Sequence, residues 1–332
     1  MTDSVHFQDR DPGTRWIKDD SLAIDSDGPL DSARTLTPNV VRVKGGYRLY
    51  YHGFGPGRPN EESSGYILSA FSEDAETWQK EEGVRIDAGG EFAADCIWGP
   101  DVVSLSSGEY RMYFEGRTNQ NDGRVKSVIL SAVSTDGINW QQETGTRLMG
   151  EILSYGAPRC ISIESDGSRQ EGGNRFRLYA SASPLCQDYF TRDGSYTNCN
   201  IISAVSKDGI TFELEPGVRV IQDHDLESYS VYAPEVVRLG VGGYRMYYAG
   251  WTAAPEVPAG SPYHGRIFSA WSADGIAWQK DPEICIDNGG KWDRAKASEP
   301  CVIDLPDGRF RMFYEACDYL GQWRIASATS VL

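Results

Sequence analysis

The stretch YAPEVVRLGVGGYRMYYAGWTAAPEVPAGSPYHGRIFSAWSADGI, residues 232–276, contains nearly every element of a unit that recurs along the chain. An X–Pro step leads into a short apolar run, and a turn and an aromatic–Arg–aliphatic–aromatic segment follow. An Ile/Leu-Ser-Ala segment then runs into a Ser-x-Asp-Gly turn. Most of these elements recur at Pro38, Pro100, Pro158 and Pro300. Five copies at a spacing of roughly 60 to 75 residues predict a repeat architecture.

Each repeat unit contains four strand-like segments separated by Gly, Asp-Gly and Pro turn signals, a pattern that predicts antiparallel hairpins. Four antiparallel strands per unit around an axis are typical of a β-propeller blade. The fifth unit lacks its fourth strand, but residues 15–25 match the pattern of the segment that begins at Trp78. We therefore predict an all-β, five-bladed propeller forming a single domain over residues 1–332. Its N-terminal strand would close the last blade and protect two strand edges.

Composition limits the classes of function that are possible. The chain has 332 residues, of which 40% are hydrophobic and 11% aromatic, in keeping with a real core. Its net charge of -16 and the absence of a basic stripe predict that nucleic acid is not a partner. No segment is apolar enough to predict a membrane span, and no secretory signal is recognised, so we expect a cytoplasmic protein. The oligomeric state stays open.

The seven cysteines show no metal-ligand spacing. We predict no cofactor, although a structural or central metal ion stays open. Cys186 and Cys199 flank one loop and could pair, but a cytoplasmic location favours reduced thiols. Four cysteines in or beside strand-like runs are expected to be buried thiols: Cys96, Cys160, Cys285 and Cys301.

Loop lengths indicate which face of the propeller carries the site. The loops between the second and third strands vary widely and bear aromatic residues, whereas the other turns are mostly tight. Variable loops on a rigid scaffold usually carry function, so we place the site at the mouth of the central funnel, where each first strand begins. The Ser-x-Asp-Gly turns lie on the opposite face, resemble the Asp-box turn of sialidases and suit tight hairpins. They are predicted to be structural, as is the Arg repeated in every unit: Arg48, Arg111, Arg177, Arg245 and Arg311.

Side chains on either side of each proline are expected to point toward the propeller axis. Three of the five steps present a carboxylate, at Asp101, Glu235 and Glu299, and a fourth presents Arg159. A carboxylate cluster around one cavity pushes the pKa values of its members apart, which suits acid/base catalysis. The alternative is that these groups are solvated charges at the rim. Arg159 could bind an anionic group on a substrate or could pair with Glu235 or Asp101.

Further candidates for substrate binding lie near the same face. Asn39 follows the first proline, and Asp95 is a reserve carboxylate five residues before Pro100. Glu115 and His52 end second strands, although a lone His is more often a structural group. Trp98, Tyr232 and Trp251 could stack on an apolar face of a sugar or could simply pack the funnel.

With WGPD at Trp98 and YAPE at Tyr232, the chain resembles the five-bladed glycoside hydrolases: the arabinanase/β-xylosidase group, invertases and levansucrases, and the mannoside phosphorylases. In the first group, a W-A-P-D step carries an Asp that orients, and an E-G-P step in the next blade carries the general acid. The resemblance implies these roles for Asp101 and Glu299. The two steps are not in consecutive blades here, and no carboxylate stands at the position of that group's base.

The sequence therefore predicts a carbohydrate-active hydrolase or phosphorylase acting on a small, possibly anionic glycoside. Glu299 would be the acid, and Glu235 and Asp101 would share the basic or orienting role. Two alternatives stay open. One is non-glycosidic acid/base chemistry on a small metabolite, such as isomerisation, cyclisation or elimination. The other is a non-catalytic propeller that binds a small molecule.

Overall fold

The computed structural model describes residues 10–55, 65–119, 125–163, 175–184, 199–252 and 265–331. Within these ranges the protein is built from antiparallel strands, and the one helical segment is a 3-10 turn at Asp225–Glu227. The strands pair in five successive groups, one around each X–Pro step, which we number in chain order. The all-β propeller class is confirmed, and the five groups are in keeping with five blades.

The strand bounds follow the repeat. The first two units consist of β2 (Arg34–Val43), β3 (Gly46–Phe54), β4 (Tyr66–Ser72), β5 (Gln79–Lys80) and β6 (Ile86–Asp87), then β7 (Cys96–Ser104), β8 (Tyr110–Asn119), β9 (Val125–Ser134) and β10 (Gln141–Gln142). The third and fourth units consist of β11 (Leu153–Ser162), β12 (Phe176–Pro184), β13 (Asn200–Ser206) and β14 (Glu213–Leu214), then β15 (Ser230–Arg238), β16 (Tyr244–Trp251), β17 (Gly265–Ser272) and β18 (Gln279–Lys280). The fifth unit consists of β19 (Lys296–Asp304), β20 (Phe310–Cys317), β21 (Trp323–Ser330) and the N-terminal β1 (Trp16–Ile24).

The N-terminal strand closes the ring as predicted. β1 runs antiparallel to β21, from Trp16 opposite Ser330 to Ile24 opposite Ile325. The fourth strands of the other units are shorter than expected, with two residues each in β10, β14 and β18. A glycine with positive φ follows β5, β10 and β14, for example Gly145 at 76°, and interrupts the pairing, whereas Glu283 stands at this position after β18. Pairing then resumes as isolated bridges.

The repeated arginines are structural, as expected, and they join neighbouring units. In the second unit, Arg111 bonds both carboxylate oxygens of Glu143, at 3.0 and 3.1 Å, and donates to the carbonyl of Asp208 in the third unit at 3.1 Å. The hydroxyl of Tyr113 donates to the carbonyl of Gly209, in the same turn, at 2.8 Å. Because these bonds reach the turn that carries the Asp-box pattern, the turn serves as a clamp between units.

The clamp explains the glycine of the turn and its one exception. A Cβ on Gly209 would lie 2.7 Å from Arg111 Nη1 and 2.8 Å from the Tyr113 hydroxyl oxygen, so a side chain does not fit. The first unit has Ala75 at this position, with φ 60°. There the fifth unit presents Phe313, which has no hydroxyl, and Arg311 donates to the Ala75 carbonyl instead at 2.8 Å. The methyl group of Ala75 is tolerated because the hydroxyl is missing.

We expect Phe313→Tyr alone to lower the free energy of unfolding by about 1–3 kcal/mol, because the new hydroxyl meets the Ala75 methyl in a packed site. In an Ala75→Gly background the same change should cost less, since the hydroxyl can then donate to the carbonyl of residue 75 as it does in other units. Urea unfolding of the four proteins gives the coupling free energy, which should favour the double variant by at least about 1 kcal/mol. Strictly additive effects would contradict this account of the clamp.

Hydrophobic clusters between neighbouring units form the core. One of them combines Tyr50 and Ile67 of the first unit with Ile97 and Met112 of the second, all buried. The four cysteines expected to be buried thiols are buried: Cys96, Cys160, Cys285 and Cys301. In the part of the chain that the structure describes, no helix is long and apolar enough to span a bilayer.

Candidate active site

The X–Pro steps lie inside the first strands rather than before them, which corrects the predicted strand starts. In β2, Leu36 pairs with His52 and Asn39 pairs with Tyr50, so the two residues between them on β2 face one residue on β3. The same shift occurs at the proline of every unit and is the signature of a β-bulge. The residue before each proline has a positive φ between 45° and 54°.

The five bulges converge on one cavity that opens to solvent. The residue before the proline lines this cavity in every unit, whereas Arg159 is the one residue after a proline that does so. The predicted location at the X–Pro steps is thus where the structure places a cavity. Apart from the prolines and Arg159, the residues that line the cavity are those before the prolines: Thr37, Gly99, Ala157, Ala233 and Glu299.

The residues after the prolines form a hydrogen-bonded ring that we call the inner ring: Asn39, Asp101, Arg159, Glu235 and Cys301. In four of the five units, this side chain accepts a hydrogen bond from a backbone N–H in the first strand of the next unit. The bonds run from Val102 N to Asn39 Oδ1 (3.0 Å), Cys160 N to Asp101 Oδ2 (2.6 Å), Val302 N to Glu235 Oε1 (2.9 Å) and Val40 N to Cys301 Sγ (3.2 Å). One oxygen of the Asp101 carboxylate and one of the Glu235 carboxylate are therefore occupied by a backbone hydrogen bond.

Arg159 occupies the third position of the inner ring and cannot accept a bond. Its guanidinium instead lies 2.8 Å from Asp101 Oδ1 and 2.5 Å from Glu235 Oε2, and it donates to the carbonyl of Pro300 at 3.3 Å. Of the two roles considered for Arg159, pairing with Asp101 and Glu235 is the one observed.

One guanidinium serves two buried carboxyl groups in this triad. Burial raises the pKa of Glu235 to about 7, although Arg159 acts in the opposite direction. Burial likewise raises the pKa of Asp101 against Arg159 and the Cys160 N–H. Retention of one proton by the pair would leave the triad neutral, which suits its burial.

Glu299 differs from the other predicted catalytic carboxyl groups. It lines the cavity, is partly buried, and makes no hydrogen bond or ion pair with the residues that the structure describes. Burial raises its pKa well above the usual range, the charge of Glu315 adds to this effect, and Lys296 opposes it. A raised pKa favours the protonated form, which is the form required of a general acid.

Two carboxyl groups flank Glu299, and each is paired with a cation. Glu315 Oε1 accepts from Lys296 Nζ at 2.8 Å and from the hydroxyl of Ser298, the neighbour of Glu299, at 3.0 Å. The ammonium of Lys296 lies 4.4 Å from the ring centre of Trp251 and 4.6 Å from that of Trp323. Cation–π contacts of this kind hold the lysine in place.

The second flanking carboxylate belongs to Glu115. Its Oε1 accepts from Arg117 Nε at 2.9 Å, and the Arg117 guanidinium lies 4.7 Å from the ring centre of Trp98. Its Oε2 accepts from the backbone N–H of Ala157 at 3.3 Å. A Cβ on Gly156 would lie 2.2 Å from this oxygen, so a glycine is required for the close approach. The charge of Glu115 also raises the pKa of Glu299.

The remaining predicted residues surround these groups without lining the cavity. His52 is fully buried against Phe54 and Trp98, at centroid distances of 4.3 and 4.4 Å, and burial lowers its pKa well below the usual range. Tyr232 packs edge-on against Trp251 at 5.0 Å. Asp95 precedes β7 and is partly buried. Most of the variable loops expected to carry function, together with Cys186, lie outside the described residues.

Sequence reasoning assigned no role to Thr37 or Ser298. It also did not predict that Lys296 pairs with Glu315. Lys296 and Ser298 are two residues apart on β19, and Ser298 pairs with Glu315 on β20. Side chains two apart share a face of a strand, so this alternation was a usable signal for the pairing. Thr37 stands before a proline and was expected to point toward the axis, but the sequence gave no reason to assign it a role in the site.

Comparison with known proteins agrees with the fold. No protein-family model matches the chain. An uncharacterized protein of Mycobacterium tuberculosis is 28% identical over 235 residues, or 67% of this chain and 68% of that protein. A solved glycoside hydrolase superposes with a TM-score of 0.72 at 17% identity, over 95% of this chain and 93% of its own.

A second solved structure comes from a mannoside phosphorylase family described as containing glycoside hydrolases that target β-1,2-mannosidic linkages in Candida mannan. It superposes with a TM-score of 0.70 at 12% identity, over 98% of this chain and 95% of its own. The chain thus has the fold of the propeller glycoside hydrolases.

Replacing Arg159 with Met should leave the carboxyl groups of Asp101 and Glu235 buried without a cation. We expect the free energy of unfolding at mildly alkaline pH to fall by about 3–5 kcal/mol. The loss should shrink toward pH of about 5, because carboxyl groups with raised pKa values bind protons more readily in the folded state than in the unfolded state. Urea unfolding across this pH range measures both effects.

The matched control is Arg309→Met, which removes an arginine from an exposed ion pair with Asp307. No measurable change is expected there. An Arg159→Met protein as stable as the wild type at alkaline pH would show that the inner ring does not depend on the guanidinium.

Proposed function

We propose that this protein is a glycosidase-like, carbohydrate-active enzyme that cleaves a small glycoside in the axial cavity, with Glu299 as the general acid. The observation that carries the proposal is the state of Glu299. It is the one carboxyl residue that lines the cavity among the described residues, and burial together with nearby carboxylates favours its protonated form. Such a group can donate a proton to the leaving oxygen of a glycosidic bond.

Glycoside cleavage also needs an ionised carboxylate to activate water or to attack the sugar carbon. Glu315 and Glu115 are supported for this role because each is paired with a cation and acts electrostatically on Glu299. Asp101 and Glu235, assigned the basic or orienting role from sequence, are bonded to Arg159 and to backbone N–H groups. We assign them an orienting role that keeps the floor of the cavity in shape.

Hydrolysis is favoured over phosphorolysis by the charges around the cavity. Phosphorolysis needs cations that can bind phosphate. Arg159 at the cavity, and Lys296 and Arg117 near Glu299, are each already paired with a carboxylate. Arg34, a fourth cation expected near this mouth, makes no ion pair among the described residues, but it does not line the cavity, and we propose an uncharged glycoside.

Replacing Glu299 with Gln should reduce turnover of a responsive glycoside by about 10²-fold or more, the scale of losing a general acid. The assay is product formation on a panel of neutral, uronic and phosphorylated glycosides, with and without phosphate. Glu227→Gln is the control, because burial raises the pKa of Glu227 as it does that of Glu299, but Glu227 lies outside the cavity lining.

Three results would contradict the proposal. No turnover of any glycoside by folded wild-type protein would favour non-glycosidic chemistry or simple binding. Turnover that requires phosphate would favour a phosphorylase. Equal loss in the Glu299→Gln and Glu227→Gln proteins would show that the effect is structural.

The pH dependence of turnover should report the protonation of Glu299. A general acid works in its protonated form, and burial and the charge of Glu315 raise the pKa of Glu299. Activity should therefore persist from acidic pH up to the raised pKa and fall as the pH rises through it. Removing the neighbouring charge with Glu315→Gln should move this fall to lower pH, measured as the alkaline limb of the residual kcat/KM, whatever the loss in its plateau value. An unshifted limb would separate Glu315 from the acid.

A further inference from the structure

Among the residues before the prolines, those with polar side chains lie on one side of the cavity and those with small side chains on the other. Glu299 lies on β19 of the fifth unit and Thr37 lies on β2 of the first. These two strands are in contact where the ring closes, for example through the bond from Val40 N to Cys301 Sγ, so the two residues are neighbours around the axis. We call this contact the closing seam. The other three residues before prolines are Gly99, Ala157 and Ala233, which place no polar side-chain atom in the cavity. Apart from Arg159, which is paired with Asp101 and Glu235, the polar side chains that line the cavity therefore lie at this seam.

The hydroxyl of Thr37 has no partner. The residue is 5% exposed, and its Oγ1 makes no hydrogen bond within the described ranges. Burial of a hydroxyl without a bond is unfavourable. On the same strand, the equally buried hydroxyl of Thr35 does have partners, among them the carbonyl of Ile24 at 3.5 Å. Thr37 is thus an exception that calls for an explanation.

The backbone of Thr37 is also strained. Its φ of 51° is a genuine outlier for a β-branched residue and is of the kind that costs about 1–3 kcal/mol. Alanine or glycine stands at the corresponding position of three other units and would avoid both the bulk and the buried hydroxyl. Two unfavourable features therefore coincide in one residue that lines the cavity beside Glu299.

We infer that the Thr37 hydroxyl is a ligand-binding group that bonds a hydroxyl or ring oxygen of the sugar whose glycosidic oxygen meets Glu299. This inference rests on the proposed function for the class of ligand. A hydroxyl can donate one bond and accept two, which matches the mixed donors and acceptors of an uncharged sugar. Thr37 acts as a positioning residue: it holds the sugar so that the proton of Glu299 points at the bond to be cleaved.

The test compares Thr37→Val with the matched control Thr35→Val, because valine keeps the branched shape and removes the hydroxyl. Thr37→Val should be as stable as the wild type or more stable in thermal unfolding, whereas Thr35→Val should be less stable. Each protein is titrated with neutral monosaccharides in a calorimeter. The Kd of Thr37→Val should be about 3–10-fold larger than that of the wild type. Thr37→Ser should restore the affinity, and Thr35→Val should leave it unchanged.

The outcomes separate this inference from the proposed function. Thr37→Val that is destabilised like Thr35→Val, or that binds sugar as tightly as the wild type, overturns the inference while the glycosidase proposal stands. Failure of the wild type to bind or turn over any sugar overturns the proposed function and, with it, the sugar as the partner of Thr37. A stabilised Thr37→Val protein with weakened sugar binding supports both.

Discussion

The backbone N–H that follows each axial bulge must find a hydrogen-bond acceptor where water is largely excluded, and the rest of the centre depends on how this is done. A buried N–H without a partner is strongly disfavoured. In four units the preceding unit supplies the acceptor from its inner-ring side chain. The same bond satisfies the backbone and joins two units. The identity of the inner-ring residues is therefore a scaffold requirement before it is a chemical one.

This requirement divides the carboxyl groups into two sets. Asp101 and Glu235 accept backbone bonds and share Arg159, so their free capacity to meet a ligand is small. Glu299 stands on the other side of a proline, where no scaffold bond engages it, and its environment favours the proton. The ion pairs with Lys296 and Arg117 hold the carboxyl groups of Glu315 and Glu115 in place near Glu299. The residues after the prolines thus form the inner ring, whereas the proposed acid, Glu299, is a residue before a proline.

Much of this arrangement was predictable from sequence, and the bulge marks where prediction stopped. The repeat predicted the propeller, and residues 15–25 predicted the strand that closes the ring. The X–Pro steps predicted where the cavity lies. Alternation along a regular strand places residues on either side of a proline on the same face. The bulge, with its positive φ before the proline, separates them, so that Glu299 faces the cavity and Glu235 joins the ring. No residue pattern in a single sequence predicts that separation.

The seam between the fifth and first units combines the weakest link with the most polar part of the cavity. Here the inner-ring acceptor is the thiol sulfur of Cys301, which accepts the Val40 N–H at 3.2 Å and is a weak acceptor compared with a carboxylate or an amide. Glu299 and Thr37 face the cavity from the two sides of this seam. A ligand bonded to both would add a connection between the units where the scaffold provides the least. Because binding to the folded state alone stabilises it, occupancy of the cavity and closure of the ring would then reinforce each other.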